Sequence, residues 1–394
     1  MAFDVAAVRR QFPALSDGAA RTWLDNAAAT LVPRRALDAW TQFHECQRTP
    51  AQTDVVYEDA RRRVARCVGA DPGDVVFCSG TTHAIHLVAA GWADANVREG
   101  DEIVVSAAEH IANFAPWHAL ARRRGAHVRV VAPDASGSFA PEAFHAALSP
   151  RTRLVAIAHV SNVTGTMLPI RAVIEAAHAC GARVLIDGAQ AVAHGPVDFA
   201  ALGADFYAFC AHKAFAPRGL GVLLACRERL EEMQPVLLGA NAFSQFTLDR
   251  EQPAPFPGRL EGGSANIAGA LALAEALEFA QALGWDAIAD HERRLAAHLD
   301  AGLAAIRAVR ALPSPPQSVP IRSFVAGGRS SVAIAQTLGE SAIDVRAGSL
   351  SAETLLQHLG SGDAVRIAAA HYNTQDDIDR LLAALSTALS PVGG

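Results

Sequence analysis

Leu185-Ile186-Asp187-Gly188-Ala189-Gln190 and Phe209-Cys210-Ala211-His212-Lys213 decide how this chain folds. Each is a short apolar run that stops on a charged side chain, a carboxylate in the first and an amine in the second. Similar runs lie on both sides. Residues 75–78, 102–106, 127–131, 154–159, 183–186, 206–209 and 221–225 read as strands, and residues 81–92, 117–124, 141–148 and 170–180 as the helices between them. Short apolar runs alternating with helical patterns predict an α/β fold with a mostly parallel sheet buried on both faces. Ligands of such sheets sit at the carboxyl ends of the strands, where both charged groups fall. Beyond Asn266 the pattern changes to two alanine- and leucine-rich helices, 267–283 and 285–308. A proline-rich connection over 312–320 follows, then a tail over 321–390 that mixes short strands with helices, the last at 375–389. The tail reads as a small α/β domain.

A chain of 394 residues suits two or three domains. With 51% hydrophobic and 19% charged residues it can build a large core, and disorder is not its default. Net charge is −6 and no basic stripe occurs, so nucleic acid is not expected as a partner. The positive mean hydropathy, +0.17, comes from alanine. The longest apolar stretch, 265–284, carries Glu275, Glu278 and Gln281. It reads as a helix with a buried face, since a membrane span needs roughly 20 apolar residues without charges. Met1-Ala2-Phe3-Asp4-Val5 has no basic segment followed by an apolar one, so no secretory signal is expected. Cys46, Cys67, Cys78, Cys180, Cys210 and Cys226 form no CxxC and no cluster. Reduced thiols in a cytoplasmic protein, with neither metal site nor disulfide, are the expectation.

The two strand ends carry the chemistry. A lysine closing a buried strand is costly unless it has a task. A Schiff base suits it, because the amine is then deprotonated and covalently held. An aspartate on a neighbouring strand end can pair with a protonated pyridine nitrogen and strengthen pyridoxal 5'-phosphate (PLP) as an electron sink. Ser79-Gly80-Thr81-Thr82-His83-Ala84 is a strand–turn–helix junction whose backbone amides suit a phosphate. Taken singly, each of these also fits a loop lysine, a capping aspartate and a plain helix start.

Further segments, in order and spacing, extend the pattern: Phe12-Pro13-Ala14-Leu15, Leu24-Asp25-Asn26-Ala27-Ala28, Glu109-His110, His159-Val160-Ser161-Asn162-Val163-Thr164-Gly165-Thr166, Asp187-Gly188-Ala189-Gln190-Ala191, His212-Lys213, Arg259-Leu260-Glu261-Gly262-Gly263-Ser264 and Tyr372-Asn373-Thr374. With these the chain resembles the cysteine desulfurase/selenocysteine lyase family within the class V aminotransferases, PLP enzymes of fold type I. The resemblance implies a large PLP-binding domain over 21–264 with a mostly parallel seven-stranded sheet. It implies a small domain formed by 1–20 and 265–394, and a homodimer. It makes Lys213 the Schiff-base lysine and proton carrier, and His110 the residue stacked on the pyridine face. It places Asp187 at the pyridine nitrogen and Gln190 at the phenolate oxygen. Thr81, Thr82, Cys210 and His212 would hold the phosphate, with Ser264 reaching it from the partner subunit. Asn162, Arg366 and Ala28 would meet an amino-acid substrate, Arg366 by a bidentate pair with its carboxylate.

The chain departs from the family in three places. The persulfide-forming cysteine follows an Arg-x-Gly-x-x segment; here Arg346-Ala347-Gly348-Ser349-Leu350 is followed by Ser351, and no cysteine exists after Cys226. A hydroxyl cannot form a persulfide. The loop within residues 43–57, which lines the substrate entrance in the family, is shorter. Cys210 stands where a phosphate-binding serine is usual, and a thiol is a weaker donor. Cys46 and Cys210 are the thiols to weigh as substitute sulfur acceptors. The expectation is a PLP-dependent lyase that expels a sulfide, selenide or sulfinate group without a protein thiol. Transamination, epimerisation or another Cα/Cβ reaction is the alternative, and a non-catalytic PLP-binding scaffold a third.

Overall fold

The computed structural model describes residues 3–16 and 21–390. Residues 1–2, 17–20 and 391–394, part of the expected small-domain segments and of the N-terminal stretch read for a signal, lie outside the described residues. Seven strands build the large sheet: β1 (Val75–Cys78), β2 (Glu102–Ser106), β3 (His127–Val131), β4 (Thr152–Ala158), β5 (Arg183–Asp187), β6 (Phe206–Cys210) and β7 (Gly221–Ala225). Their order is β1-β7-β6-β5-β4-β2-β3. Six run parallel to one another, and β7 runs against both of its neighbours. Strands β2, β6 and β7 are buried at every residue. The apolar runs thus mark strands covered on both faces.

Register places the chemistry. Ala158, Asp187 and Ala208 lie side by side across β4, β5 and β6. Two residues further along β6, Cys78, Gly221 and Cys210 form a second row across β1, β7 and β6. Because β7 is reversed, its first residue shares an edge with the last residues of β1 and β6. The turn after β1 presses on that start: a Cβ on Gly221 would stand 2.4 Å from the Gly80 backbone.

A second sheet joins β8 (Val309–Ala311), β9 (Ile321–Ala326), β10 (Arg346–Gly348) and β11 (Ala364–Ala368) in the order β8-β9-β11-β10, all antiparallel. The helix expected over 285–308 is Trp285–Ala305, since Ile306 turns extended to enter β8. Ile267–Leu283 packs on the helices Arg34–Glu45 and Pro50–Cys67. No single helix among the described residues is long and apolar enough to cross a membrane. Thr22–Trp23 pairs with Ile343–Asp344, and Asp25 bridges to Ala368. The residues leading to Ala27 and Ala28 are therefore held by the C-terminal part of the chain.

Candidate active site

A cavity of about 490 Å3 opens where the large sheet's carboxyl edge faces β10 and β11. Ala28, Thr81, Thr82, His110, Asn162, Asp187, Gln190, Cys210, His212, Lys213 and Arg366 all line it, although they come from segments far apart in sequence. Ser264 is not among the lining residues and is exposed on its own loop. No residue of the 43–57 segment lines it either. That segment enters the helix Pro50–Cys67 through a Thr49/Gln52 capping box, and Cys46 is exposed.

The sheet supplies the carboxylate and the amine. Asp187 is buried at the end of β5, and Oδ1 accepts from Ala189 N at 2.9 Å. Burial pushes its carboxyl up, opposed by that bond and by Lys213. A carboxylate so placed is stabilised by a cationic hydrogen-bond donor. Lys213 follows β6 after one short turn and is the only lysine in the chain. That count is a signal the motif reading did not use. Gln190 donates to Ala27 O at 2.8 Å, which fixes its carboxamide and leaves one N–H free.

The histidines here are neutral. His110 Nδ1 accepts from Ala112 N at 3.1 Å, so the ring proton sits on Nε2. Burial and the neighbouring Lys213 and Arg366 lower His110 to about 4. Burial and Lys213 likewise lower His212 to about 4. Beneath His110, the buried Glu109 carboxyl accepts from Asn113 Nδ2 (2.6 Å), Ala158 N (2.8 Å) and the Ser106 hydroxyl. Burial raises it to about 8 against those donors.

The side of the cavity toward β10 and β11 contains residues that motif reading passed over. Arg346 on β10 stands directly opposite Arg366 on β11. Facing like charges repel. Asp25 resolves this by accepting from Arg346 at Oδ2 (2.7 Å) and from Arg366 at Oδ1 (3.1 Å). Arg366 also donates to Asn162 O at 3.1 Å, while its Nε is buried without a partner. Leu350 and Ser351 both have positive φ, 55° and 54°. Non-glycine residues there cost about 1–2 kcal/mol each. The turn is held by Asn162 Nδ2 donating to Leu350 O (2.9 Å) and Ile111 N donating to Ser351 O (2.7 Å). Ser351 lines the cavity as a result.

Residues 22–381 match the family model Aminotransferase class-V. The chain belongs to the class V aminotransferases. Within this class it is 39% identical, over 97% of its length, to a probable cysteine desulfurase of Mycolicibacterium paratuberculosis (strain ATCC BAA-968 / K-10). It spans 58%, 63% and 64% of the length of three such curated relatives. Its fold superposes on the crystal structure of the cysteine desulfurase CsdA from Escherichia coli with a TM-score of 0.93 and 34% identity, covering 99% of both chains. A complex of the cystine C-S lyase C-DES with cysteine persulfide gives 0.84 and 25%, covering 95% of this chain and 99% of that one. The cofactor of this class V enzyme is PLP, and the cavity's donor set fits it. Thr81 Oγ1 is buried without a partner beside the helix-start amides, as a phosphate site requires, and Asp187 lacks the cationic donor that a pyridinium provides.

Proposed function

We propose that this class V enzyme is a lyase that removes a sulfide, selenide or sulfinate group from Cβ of a cysteine-type amino acid without a persulfide-forming protein thiol. The observation that carries the reading is Ser351, lining a cavity otherwise furnished for PLP in a chain with no cysteine after Cys226. Bound PLP draws electrons from the substrate Cα and makes a β-substituent expellable. Lys213 would hold the cofactor covalently and would move the proton at the substrate Cα. Asp187 would keep the pyridine nitrogen protonated, Gln190 would donate to the phenolate oxygen, and neutral His110 would support the ring. Thr81, Thr82, Cys210 and His212 hold the phosphate, and Ser264 reaches it from a second subunit of a homodimer. Arg366, set by Asp25 and by the Asn162 carbonyl, would hold the α-carboxylate together with the Asn162 side chain, with Ala28 alongside. Cys210 serves the phosphate rather than sulfur transfer, and exposed Cys46 lies outside the cavity. The large domain is taken as 21–264, the small domain as 1–20 with 265–394, and the site of action as the cytoplasm.

The test is product analysis with the PLP-loaded enzyme. Cysteine sulfinate and selenocysteine are expected to react faster than cysteine, giving pyruvate and ammonia where the group leaves as an anion with the bonding pair, or alanine where it leaves as sulfur dioxide or elemental selenium and Cβ keeps the pair and takes a proton. If no cysteine-type substrate gives either product, the reading is wrong. A stoichiometric keto-acid product with cofactor amination would establish transamination instead.

A further inference from the structure

Strand β1 is an edge strand of the large sheet, and it leads straight into Gly80-Thr81-Thr82. Its inner side pairs with β7. On its outer side, Val75 C=O and Phe77 N–H are met by a buried ion pair rather than by another strand. Arg61 Nη1 donates to Val75 O at 2.6 Å, and Phe77 N donates to Glu261 Oε1 at 2.6 Å. Arg61 and Glu261 join each other in a two-point pair, Nη1 to Oε1 at 2.7 Å and Nη2 to Oε2 at 2.9 Å. The Tyr57 hydroxyl donates to Oε2 at 2.9 Å, and the guanidinium lies over the Tyr57 and Phe77 rings at 4.8 and 5.0 Å. Both side chains are nearly inaccessible, at 2% and 7% exposure. The pair thus stands in for an eighth strand and closes an edge that would otherwise present free backbone groups.

What the pair connects gives it a function. Phe77 precedes Thr81 by four residues, and Glu261 precedes Ser264 by three. The Glu261 loop packs closely on its neighbour, since a Cβ on Gly262 would stand 2.3 Å from Leu237 O. We propose that Arg61 and Glu261 are positioning residues for the cofactor phosphate, fixing the Gly80-Thr81-Thr82 turn that holds one subunit's phosphate to the loop of the same chain whose Ser264 reaches the other subunit's. The inference rests on the phosphate lying at Thr81 and Thr82. Neither side chain lines the cavity, so the pair acts through the turn and not by contact.

Glu261→Gln is the informative change. It keeps size and one acceptor but turns an N–H2 group toward donors of Arg61, Phe77 or Tyr57. Equilibrium dissociation constants of PLP and of pyridoxal, which lacks the phosphate, are measured on the full chain well below its unfolding temperature. The PLP constant should rise about tenfold or more while that of pyridoxal moves less than about twofold, the scale expected when one partner of a buried pair loses its charge. Arg61→Lys, which keeps the charge but loses the fork, should shift the same ratio and serves if Glu261→Gln does not fold. An unchanged ratio of the two constants, whether both move together or neither moves, overturns the proposal. Thr81→Val separates the premise from the inference: if it leaves PLP affinity intact, the phosphate lies elsewhere; if it weakens PLP while the pair variants do not alter the ratio, the positioning role alone fails.

Discussion

A charged group at the end of a buried strand is the most legible residue-scale signal in this chain, and it located Asp187 and Lys213. Lys213 makes an unusually clean test possible, because no other lysine competes for an aldehyde. Borohydride reduction of the PLP-loaded enzyme should leave label on one peptide, that containing Lys213, and Lys213→Ala should leave none; peptide mapping by mass spectrometry checks both. Asp25 was not legible, although it lies in a quoted motif. Its role depends on two arginines meeting across β10 and β11, a pairing that only tertiary register creates. Asp25→Asn removes the charge that neutralises both. The freed guanidinium of Arg366 then loses its set direction, and KM for an amino-acid substrate should rise about tenfold, roughly 1.4 kcal/mol. kcat should fall less if Arg366 holds the α-carboxylate as proposed, since that grip would be the same in ground and transition states. Steady-state kinetics read the split, and an unchanged KM would remove Asp25 from the site.

Among elements, strand positions were readable because burial on both faces writes itself as a continuous apolar run. Direction was not: Gly221-Val222-Leu223-Leu224-Ala225 reads the same whether β7 runs with its neighbours or against them. That reversal matters to the site, since it brings Gly221 beneath Gly80. Gly221→Ala is therefore expected to displace the Gly80 turn, the proposed phosphate site, and to cost about 1–3 kcal/mol through overpacking. Gly195→Ala, where a Cβ would meet nothing within 4 Å, should be close to neutral. Thermal unfolding of the two variants and their PLP dissociation constants make the comparison. Equal behaviour would mean that the Gly80 turn has room to move. The segment over 43–57 shows the opposite limit: it was expected to line the substrate entrance, but its place relative to the cavity depends on where the helix Pro50–Cys67 packs, which no local pattern encodes.

Across the whole molecule, buried neutral histidines set the acid limit of stability. His110, His159 and His212 are lowered to about 4 and His371 to about 3, in each case chiefly by burial. An unfolded histidine takes its proton near pH 6.5. Between that pH and the folded values the unfolded chain binds more protons, so stability present above pH 6.5 is lost as pH falls toward 4. Glu109 works in the other direction: raised to about 8, its contribution is complete below the ordinary carboxylate range and is lost as pH rises through 8. Stability should therefore peak between these limits. His371 offers the sharpest probe, because it is fully buried among Phe12, Phe215, Phe279 and Tyr372 and neither ring nitrogen has a partner. Unpaired buried polar groups cost about 1–3 kcal/mol, whereas an apolar side chain of similar size there costs none of this. His371→Leu should raise the unfolding free energy at pH 7 by about 1 kcal/mol and increase the margin further at pH 5. Urea unfolding of both proteins at the two pH values measures this. A variant less stable at pH 7, or a margin that does not grow at pH 5, would show that the His371 ring is satisfied in the folded chain.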